Sequence, residues 1–374
     1  MKIRAITTGF IVEPAFYCEQ FERVGKLNKK LKKYFEDKGF LVEDTRIVTN
    51  PFEEYVDKKN PVKKLVDIDK CASLTGNRFL SIGYGSDPYF IKVIPDILKN
   101  TKTISCSSFI GSKDKGILTK NVKETALIFK KIAKKRESKN FNFCASVNCP
   151  PYIPFFPAAY HNGLAGFSIA VESGDIVFKA FRNSVNLSDA RKNLIELMSE
   201  NLSKIEKVAF DISYKTGLVY YGIDSSPAPS LEKEGSIGFA FEEIDFVERF
   251  GSSGTLSVAA IITDGVRNLP IKQCGYSGLM LSVCEDRGVA KRYGEGNFSV
   301  KELLLYSSVC GCGIDTLPIP YDTDEEVIER LLFDVASLSL KLDKPLSVRL
   351  LPVKGDKTNF KSPYLIDTKV FRLT

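Results

Sequence analysis

Two thiols and a carboxylate lie close together in the segment 309–315, which reads Val-Cys-Gly-Cys-Gly-Ile-Asp. Thiolates are strong nucleophiles and soft metal ligands, and glycines let a backbone approach another group closely. Cys310 is therefore a candidate nucleophile or thiol ligand, and Asp315 is a candidate acidic group beside it. Two thiols supply only half of a tetrahedral metal set, so we predict no metal site. Close packing at a strand end is the alternative for this segment.

The chain has one histidine, His161, within a proline-rich stretch. Imidazole is the only side chain whose unperturbed pKa lies near neutrality, so His161 is the default general acid or base. A hydrogen-bonded loop histidine is the alternative. Asp224 is a second candidate for moving a proton, because it follows the apolar run Val219–Ile223 at a place where α/β proteins bind ligands. Ser225 beside it is a candidate ligand contact, although a rigid turn would explain both residues.

Small residues open two further helices and could contact a ligand. Gly251, Ser253, Gly254 and Thr255 precede an apolar helical pattern, where free N–H groups and the helix dipole favour a carboxylate or phosphate. The segment lacks the spacing and the lysine of a nucleotide-binding P-loop, and it could be an ordinary loop. Ser107 and Ser108 form a similar strand-to-helix junction in the first half of the chain.

Strand-like and helix-like runs alternate along nearly all 374 residues, which is typical of α/β folds with a mostly parallel sheet. We count about ten strands by that pattern, with five before and five after the proline-rich stretch. The later five include runs near Phe250, at Leu279–Glu285 and at Val309–Ile319, and Leu346–Leu351 adds a final strand. The predicted organisation is a first half (1–149), a hinge (150–165), a second half (166–353) and a tail (354–374). A chain of this length forms either two domains or one large α/β barrel.

Composition narrows the class of protein. Lysines and arginines number 53 and acids 46, but the two signs are interleaved, so we predict no nucleic-acid partner. No apolar run is long enough to cross a membrane, and no signal-peptide pattern opens the chain, so we expect a cytoplasmic protein. The 9 cysteines show no disulfide framework and are expected to be reduced. The sequence assigns no cofactor and leaves assembly as a homo-oligomer open.

Several ordered motifs resemble one family, the uncharacterised "PFL family protein" or domain of unknown function 711. They are Cys106-Ser107-Ser108 with Gly111-Ser112, Ala158-Ala159-Tyr160-His161-Asn162-Gly163, Asp224 with Ala228-Pro229, Gly254-Thr255, and Val309-Cys310 with Gly313-Ile314-Asp315. The resemblance covers most of the chain. It implies a ten-stranded β/α barrel of two five-stranded halves, similar to that of pyruvate formate-lyase, with helices outside. It implies no reaction, because a fold does not fix a function.

Three departures qualify the resemblance. Ser253 stands where relatives carry a histidine, and Cys312 stands where they carry an apolar residue, which weakens a two-thiol metal site. The C-terminal segment has only Gly355, in Lys-Gly-Asp, and lacks the glycine context of glycyl-radical enzymes. We therefore expect an enzyme without a glycyl radical that binds a small polar or anionic metabolite at one barrel mouth, where Cys310, His161, Asp224 and Asp315 converge. A non-catalytic binding protein or sensor is the alternative.

Overall fold

The computed structural model describes residues 1–360 and 362–373. The protein is mixed α/β with a ten-stranded sheet and outer helices. The strands are β1 Lys2–Phe10, β2 Val42–Thr49, β3 Leu80–Gly85, β4 Ile104–Ser112, β5 Gly116–Ile117, β6 Phe143–Val147, β7 Gly166–Glu172, β8 Val219–Asp224, β9 Gly313–Pro320 and β10 Leu346–Val353. The helices are α1 Tyr17–Glu36, α2 Pro61–Leu74, α3 Pro88–Asn100, α4 Thr119–Arg136, α5 Gly174–Arg182, α6 Leu187–Thr216, α7 Ile237–Ala240, α8 Thr255–Arg267, α9 Arg287–Gly294, α10 Val300–Ser307 and α11 Glu325–Leu342.

The sheet consists of two halves that run in opposite directions. Its order is β8-β7-β1-β2-β3-β4-β6-β10-β9, and the short strand β5 pairs with β4. Strands β1, β2, β3, β4 and β6 are parallel to one another, as are β7 with β8 and β10 with β9. The pairs β1–β7 and β6–β10 are antiparallel and join the halves. The amino ends of the first-half strands and the carboxyl ends of the second-half strands therefore lie at the same end of the sheet.

An irregular segment, 272–284, lies between the two edge strands β8 and β9. Single bridges join Ile223 to Gln273 and Ser282 to Asp315, so the segment contacts both edges without forming a ladder. The strand predicted at Leu279–Glu285 is therefore wrong, and so is the strand predicted near Phe250, which lies in a turn. For the first, the cause is a contact with residues far along the chain: backbone N–H groups of residues 276–278, just before the predicted strand, bond to the side chains of Asp224 and Ser226 instead of a neighbouring strand.

Strand alternation separates two apolar clusters. In β6, Phe143, Ala145 and Val147 pack into the main core shared with the helices, whereas Cys144 points to the other face. That other face holds a smaller buried cluster of Cys144, Cys149, Ile153, Ala158, Tyr276, Met280 and Cys312. The proline-rich stretch supplies Ile153 and Ala158, and its carbonyl groups at Pro154 and Ala159 accept hydrogen bonds from Thr7 and Ser81 of the sheet. The stretch therefore lies against the inner face of the sheet.

The longest helix shows how local sequence sets an element's bounds. The Asn186 side chain accepts a hydrogen bond from the Asp189 N–H at the start of α6. Gly217 ends the helix with a φ of 72°, a conformation in which glycine has no Cβ penalty. Buried residues recur along one face from Ala190 to Ile212, and that face packs on the sheet side.

Two further observations concern the class of protein. Cys18 in α1 and Cys71 in α2 form a disulfide, so the expectation of reduced thiols is wrong for this pair. They lie 53 residues apart, and only the packing of α1 beside α2 brings them together. Among the residues that the structure describes, no helix is both long enough and apolar enough to span a membrane.

Candidate functional site

A cavity of about 90 Å³ opens at the end of the sheet where the first-half strands begin. Charged side chains from β1, β2, β9 and β10 reach it, together with two that lie outside the strands. The cavity is lined by four arginines, Arg4, Arg46, Arg78 and Arg349, and by four carboxylates, Glu43, Asp44, Glu285 and Asp315. Its other walls are largely aromatic, including Phe79, Phe141, Phe155, Phe156, Tyr276 and Tyr364. The site is thus a small, highly charged chamber with apolar walls.

Arg349 joins two of the carboxylates. Its Nε and Nη2 atoms donate to Oδ1 and Oδ2 of Asp315 at 2.6 and 2.8 Å, which is a bidentate pair, and Nη2 also donates to Oε2 of Glu285. All three side chains are at least four-fifths buried. Burial opposes the charge of Arg349, but the two carboxylates raise its pKa. Burial also raises the pKa of Glu285, against the attraction of Arg349.

Arg46 is held differently, by aromatic rings. Its guanidinium lies 5.3 Å from the ring centroids of both Phe79 and Phe156. Its Nε atom is buried without a hydrogen-bond partner among the described residues, and its nearest carboxylate oxygen, on Asp44, is 4.0 Å away. Burial lowers the pKa of Arg46 to about 10, while Asp44 and Glu285 oppose the shift. The side chain is therefore a cation at neutral pH with an unused donor.

The other two arginines have protein partners. Arg4 donates to Glu172 at 2.6 Å and to Glu43 at 3.4 Å. Arg78 donates to the hydroxyl of Tyr364 at 3.1 Å and approaches Asp44 at 3.9 Å. Among the cavity's arginines that the structure describes, Arg46 is thus the one whose guanidinium has the weakest pairing.

Two thiols and a phenol form the inner wall. Tyr276 donates to Ser347 Oγ at 3.1 Å, and Ser347 Oγ donates to the carbonyl of Cys312 at 3.0 Å. Cys144 and Cys312 belong to the same buried cluster as Tyr276 and line the cavity. Burial raises the pKa of both thiols well above the usual value. They are therefore neutral near pH 7 and are not nucleophilic thiolates.

Asp224 positions Tyr276 without lining the cavity. Its Oδ2 accepts from the Tyr276 N–H at 2.8 Å, and its Oδ1 accepts from the N–H groups of Ser277 and Ser226 and from the Ser226 hydroxyl. Gly275, with a φ of 68°, is needed here because an added Cβ would come within 2.1 Å of Asp224 Oδ2. Burial raises the pKa of Asp224 despite these hydrogen bonds. Its neighbour Ser225 is buried and donates to the Val266 carbonyl at 3.2 Å.

Cys310 and His161 lie away from the cavity. Cys310 packs in the main apolar core, its carbonyl accepts a hydrogen bond from Lys344, and burial raises the pKa of its thiol to about 12. The His161 backbone N–H bonds to the carbonyl of Thr49, and a Cβ on Gly9 would touch the imidazole. Thr49 and Gly9 lie at the carboxyl ends of β2 and β1, whereas the cavity lies at the amino ends. Along β1, Gly9 is ~16 Å from the cavity-lining Arg4 at ~3.3 Å per residue.

The imidazole of His161 is held by its own loop. Its Nε2 atom is 3.2 and 3.0 Å from the carbonyls of Gly163 and Leu164, and its ring packs edge-on against Tyr152 and Tyr221. Burial lowers its pKa, against those two carbonyl contacts. Of the four predicted catalytic residues, the structure therefore brings Asp315 to the cavity, places Asp224 behind it, and separates Cys310 and His161 from it.

The predicted small-residue contacts lie outside the cavity as well. At the start of α8, Thr255 Oγ1 accepts from the Gly251 N–H and donates to the Ser252 carbonyl, Gly254 adopts a φ of 95°, and Ser253 is exposed. In β4, Ser107 faces Ser146 at 3.1 Å, and Ser108 accepts from Thr125 of α4 at 2.7 Å. These contacts satisfy the side chains within the protein.

Sequence reasoning missed the arginines. The available signal was a charged residue inside an apolar strand: Arg46 precedes Ile47-Val48, and Arg349 lies within Leu346–Leu351. Such residues are rarely buried unless paired, so each one marks a polar interior. Glu43, Asp44 and Arg4 carry the same signal at the starts of β2 and β1.

Three comparisons relate the chain to known proteins. The profile of the family described as "Uncharacterised ACR (DUF711)" matches residues 1–361. A UPF0210 protein of Acetivibrio thermocellus is 27% identical over 399 residues, which cover 96% of this chain and 86% of that protein. A UPF0210 protein of Pyrobaculum aerophilum is 26% identical over 390 residues with the same two coverages.

Solved structures show only a loose likeness. A structure titled "Anaerobic ribonucleotide reductase" superposes with a TM-score of 0.44 at 10% identity, covering 98% of this chain and 75% of that one. An anaerobic ribonucleotide reductase from Thermotoga maritima, with citrate in its active site, gives 0.38 at 9% identity and covers 93% and 80% of the two chains. Likenesses this loose support no inference about a ligand here.

Proposed function

The chain belongs to the DUF711 family, whose description assigns no reaction, and we propose from its own cavity that it binds a small anionic metabolite, with Arg46 as the anion-binding residue. The unused donor of Arg46 carries this proposal. Arg46 lines the cavity and its Nη groups donate to no described residue, so a ligand carboxylate or phosphate would accept charge-assisted hydrogen bonds from them. Charge-assisted bonds of this kind are among the strongest in proteins.

The aromatic residues around Arg46 favour the binding of an anion at its guanidinium. The rings of Phe79 and Phe156 both lie 5.3 Å from the Arg46 guanidinium, and these contacts restrict its orientation before any ligand arrives. Preorganisation of this kind reduces the entropy lost on binding. The volume of about 90 Å³ suits several non-hydrogen atoms, so the ligand is a small metabolite or the small end of a larger one.

The thiols support binding rather than a covalent step. Cys144 and Cys312 are neutral, and Cys310 is both neutral and packed in the core. Catalysis through Cys310, with His161 or Asp224 as proton carrier, stays a separate hypothesis, since none of these three residues lines the cavity. Cytoplasmic location and assembly as a homo-oligomer also stay predictions.

The test is a screen of the purified chain against small carboxylates and phosphates, read as a rise in melting temperature and then as a Kd by calorimetry. We expect at least one anion to bind, and Arg46→Gln to weaken it by roughly 10- to 100-fold, as loss of a charged hydrogen bond predicts. The matched control is Arg191→Gln, an exposed arginine paired with Asp264, which should bind normally. Failure of every anion to bind the folded protein, or equal binding by Arg46→Gln, would refute the proposal.

A further inference from the structure

Two carboxylates at the β9 and β10 side of the cavity hydrogen-bond to the same arginine. Glu285 and Asp315 share a single guanidinium, that of Arg349, and both oxygens of Asp315 are engaged by it. The described residues donate to Glu285 only at Oε2, from Arg349 and from the Ser282 hydroxyl at 3.0 Å. Oε1 of Glu285 is therefore left as an acceptor on a cavity-lining side chain.

Arg46 is the opposite case: it is a donor that lacks an acceptor. It is a cavity-lining cation whose guanidinium donates to no described residue, and its nearest carboxylate oxygen, on Asp44, is 4.0 Å away. The cavity thus has an unused cationic donor and an unused anionic acceptor. Its lining is also balanced overall, with four arginines against four carboxylates.

We propose that the metabolite is a zwitterion, with its anionic group at Arg46 and a protonated amine at Oε1 of Glu285. This inference rests on the proposed function, since it names the class of ligand for the same cavity. A simple anion would pair with Arg46 but would add negative charge to a lining whose charges already balance. A zwitterion supplies both missing partners and leaves the chamber neutral, which is the condition under which buried charges are tolerated.

Apolar side chains in the cavity lining favour an apolar body on this ligand. Phe155, Phe156 and Met280 line the cavity, and a flexible thioether beside aromatic rings adapts to differently shaped groups. Free amino acids, including those with the amine one or two carbons farther from the carboxylate, are the simplest compounds with this charge pattern.

The experiment uses matched sets of probes: α-, β- and γ-amino acids, their N-acetyl derivatives, the corresponding acids without the amine, and the corresponding amines without the acid. We expect at least one free amino acid to bind, and its three counterparts to bind at least tenfold more weakly. Glu285→Gln should weaken the amino acid by at least tenfold and leave the amine-free acid within twofold. Glu243→Gln, which alters a carboxylate paired with Arg182 outside the cavity, is the matched control and should change neither.

Failure of the inference is distinguishable from failure of the proposed function. Amine-free acids that bind as tightly as the amino acids, or amino acid binding that Glu285→Gln leaves unchanged, would overturn the zwitterion and leave the anion site standing. Absence of binding by every carboxylate and every amino acid to the folded wild-type chain would overturn both. The melting temperature of Glu285→Gln without ligand checks that the variant folds.

Discussion

Replacing Arg349 with methionine tests whether the cavity's carboxylates depend on one shared cation. The variant leaves Asp315 and Glu285 buried without their partner, since the side chains are 7% exposed for Arg349, 16% for Asp315 and 11% for Glu285. Removal of one member of a buried ion pair costs about 3–5 kcal/mol. We expect a loss of that size in the free energy of unfolding, measured by urea denaturation at pH 7.5.

The pH dependence of that loss gives a sharper check. Burial already raises the pKa of Glu285, and removal of Arg349 takes away the attraction that opposes the shift. A carboxyl group whose pKa is higher in the folded than in the unfolded state binds its proton more tightly when folded. The deficit of Arg349→Met against the wild-type chain should therefore shrink as the pH falls from 7.5 towards 5.

Compensating substitutions serve as the control. The triple variant with Arg349→Met, Glu285→Gln and Asp315→Asn removes all three charges, so it should recover most of the lost stability. A deficit below 1 kcal/mol in Arg349→Met, a deficit that does not change with pH, or a triple variant no better than the single one would refute the reasoning.

Three other predictions follow from single contacts. Arg46→Met should leave the free energy of unfolding of the ligand-free chain unchanged or raise it, because the Nε atom of Arg46 has no hydrogen-bond partner to lose. A loss above about 2 kcal/mol in urea denaturation would mean that Arg46 is structural. Asp286→Ala should lower the free energy of unfolding by about 3 kcal/mol or more in urea denaturation. Asp286 accepts hydrogen bonds from Ser236 and from four backbone N–H groups at the starts of α7 and α9. A loss under about 1 kcal/mol would contradict this prediction. At pH 8, iodoacetamide should alkylate Cys310 in the native chain at least roughly 100-fold more slowly than free cysteine, because burial raises the pKa of the thiol to about 12. An alkylation rate equal to that of free cysteine, measured by mass spectrometry, would show an exposed thiolate.

The sequence was a good guide to elements whose pattern comes from burial. Strands β1 to β4, β6 to β8 and β10 stand out as apolar because both faces of a parallel sheet are covered, and α6 and α11 stand out because one face is apolar. Strand β9 overlaps the predicted run Val309–Ile319, whereas the sequence pattern does not predict the two-residue strand β5. The run Leu279–Glu285 looks equally strand-like. It is irregular because Asp224, more than 50 residues earlier, takes the N–H groups just before it, and no local pattern records that contact.

The candidate site was harder to predict for a topological reason. Ligand sites in α/β proteins are expected after the carboxyl ends of strands, which predicts Asp224, whereas a helix N-terminus predicts Thr255 and a thiol predicts Cys310. Here the cavity lies instead where the first-half strands begin, and residues near the amino ends of β9 and β10 complete it. The thiol-rich segment beside Asp315 is enough to predict that residue. Arg46 and Arg349 can be predicted only if a charged residue inside an apolar strand is itself taken to indicate a polar interior.

The pairing of β10 with β6 has a consequence for synthesis of the chain. Strand β6 ends at Val147, but its second neighbour is complete only at Val353. At a translation rate of ~5–20 residues per second, the edge of β6 that pairs with β10 stays unpaired for roughly 10–40 s. An unpaired edge of this kind invites pairing with other chains. A nascent or truncated polypeptide that stops short of β10 should therefore need a chaperone to escape aggregation, even though its first five parallel strands are already present.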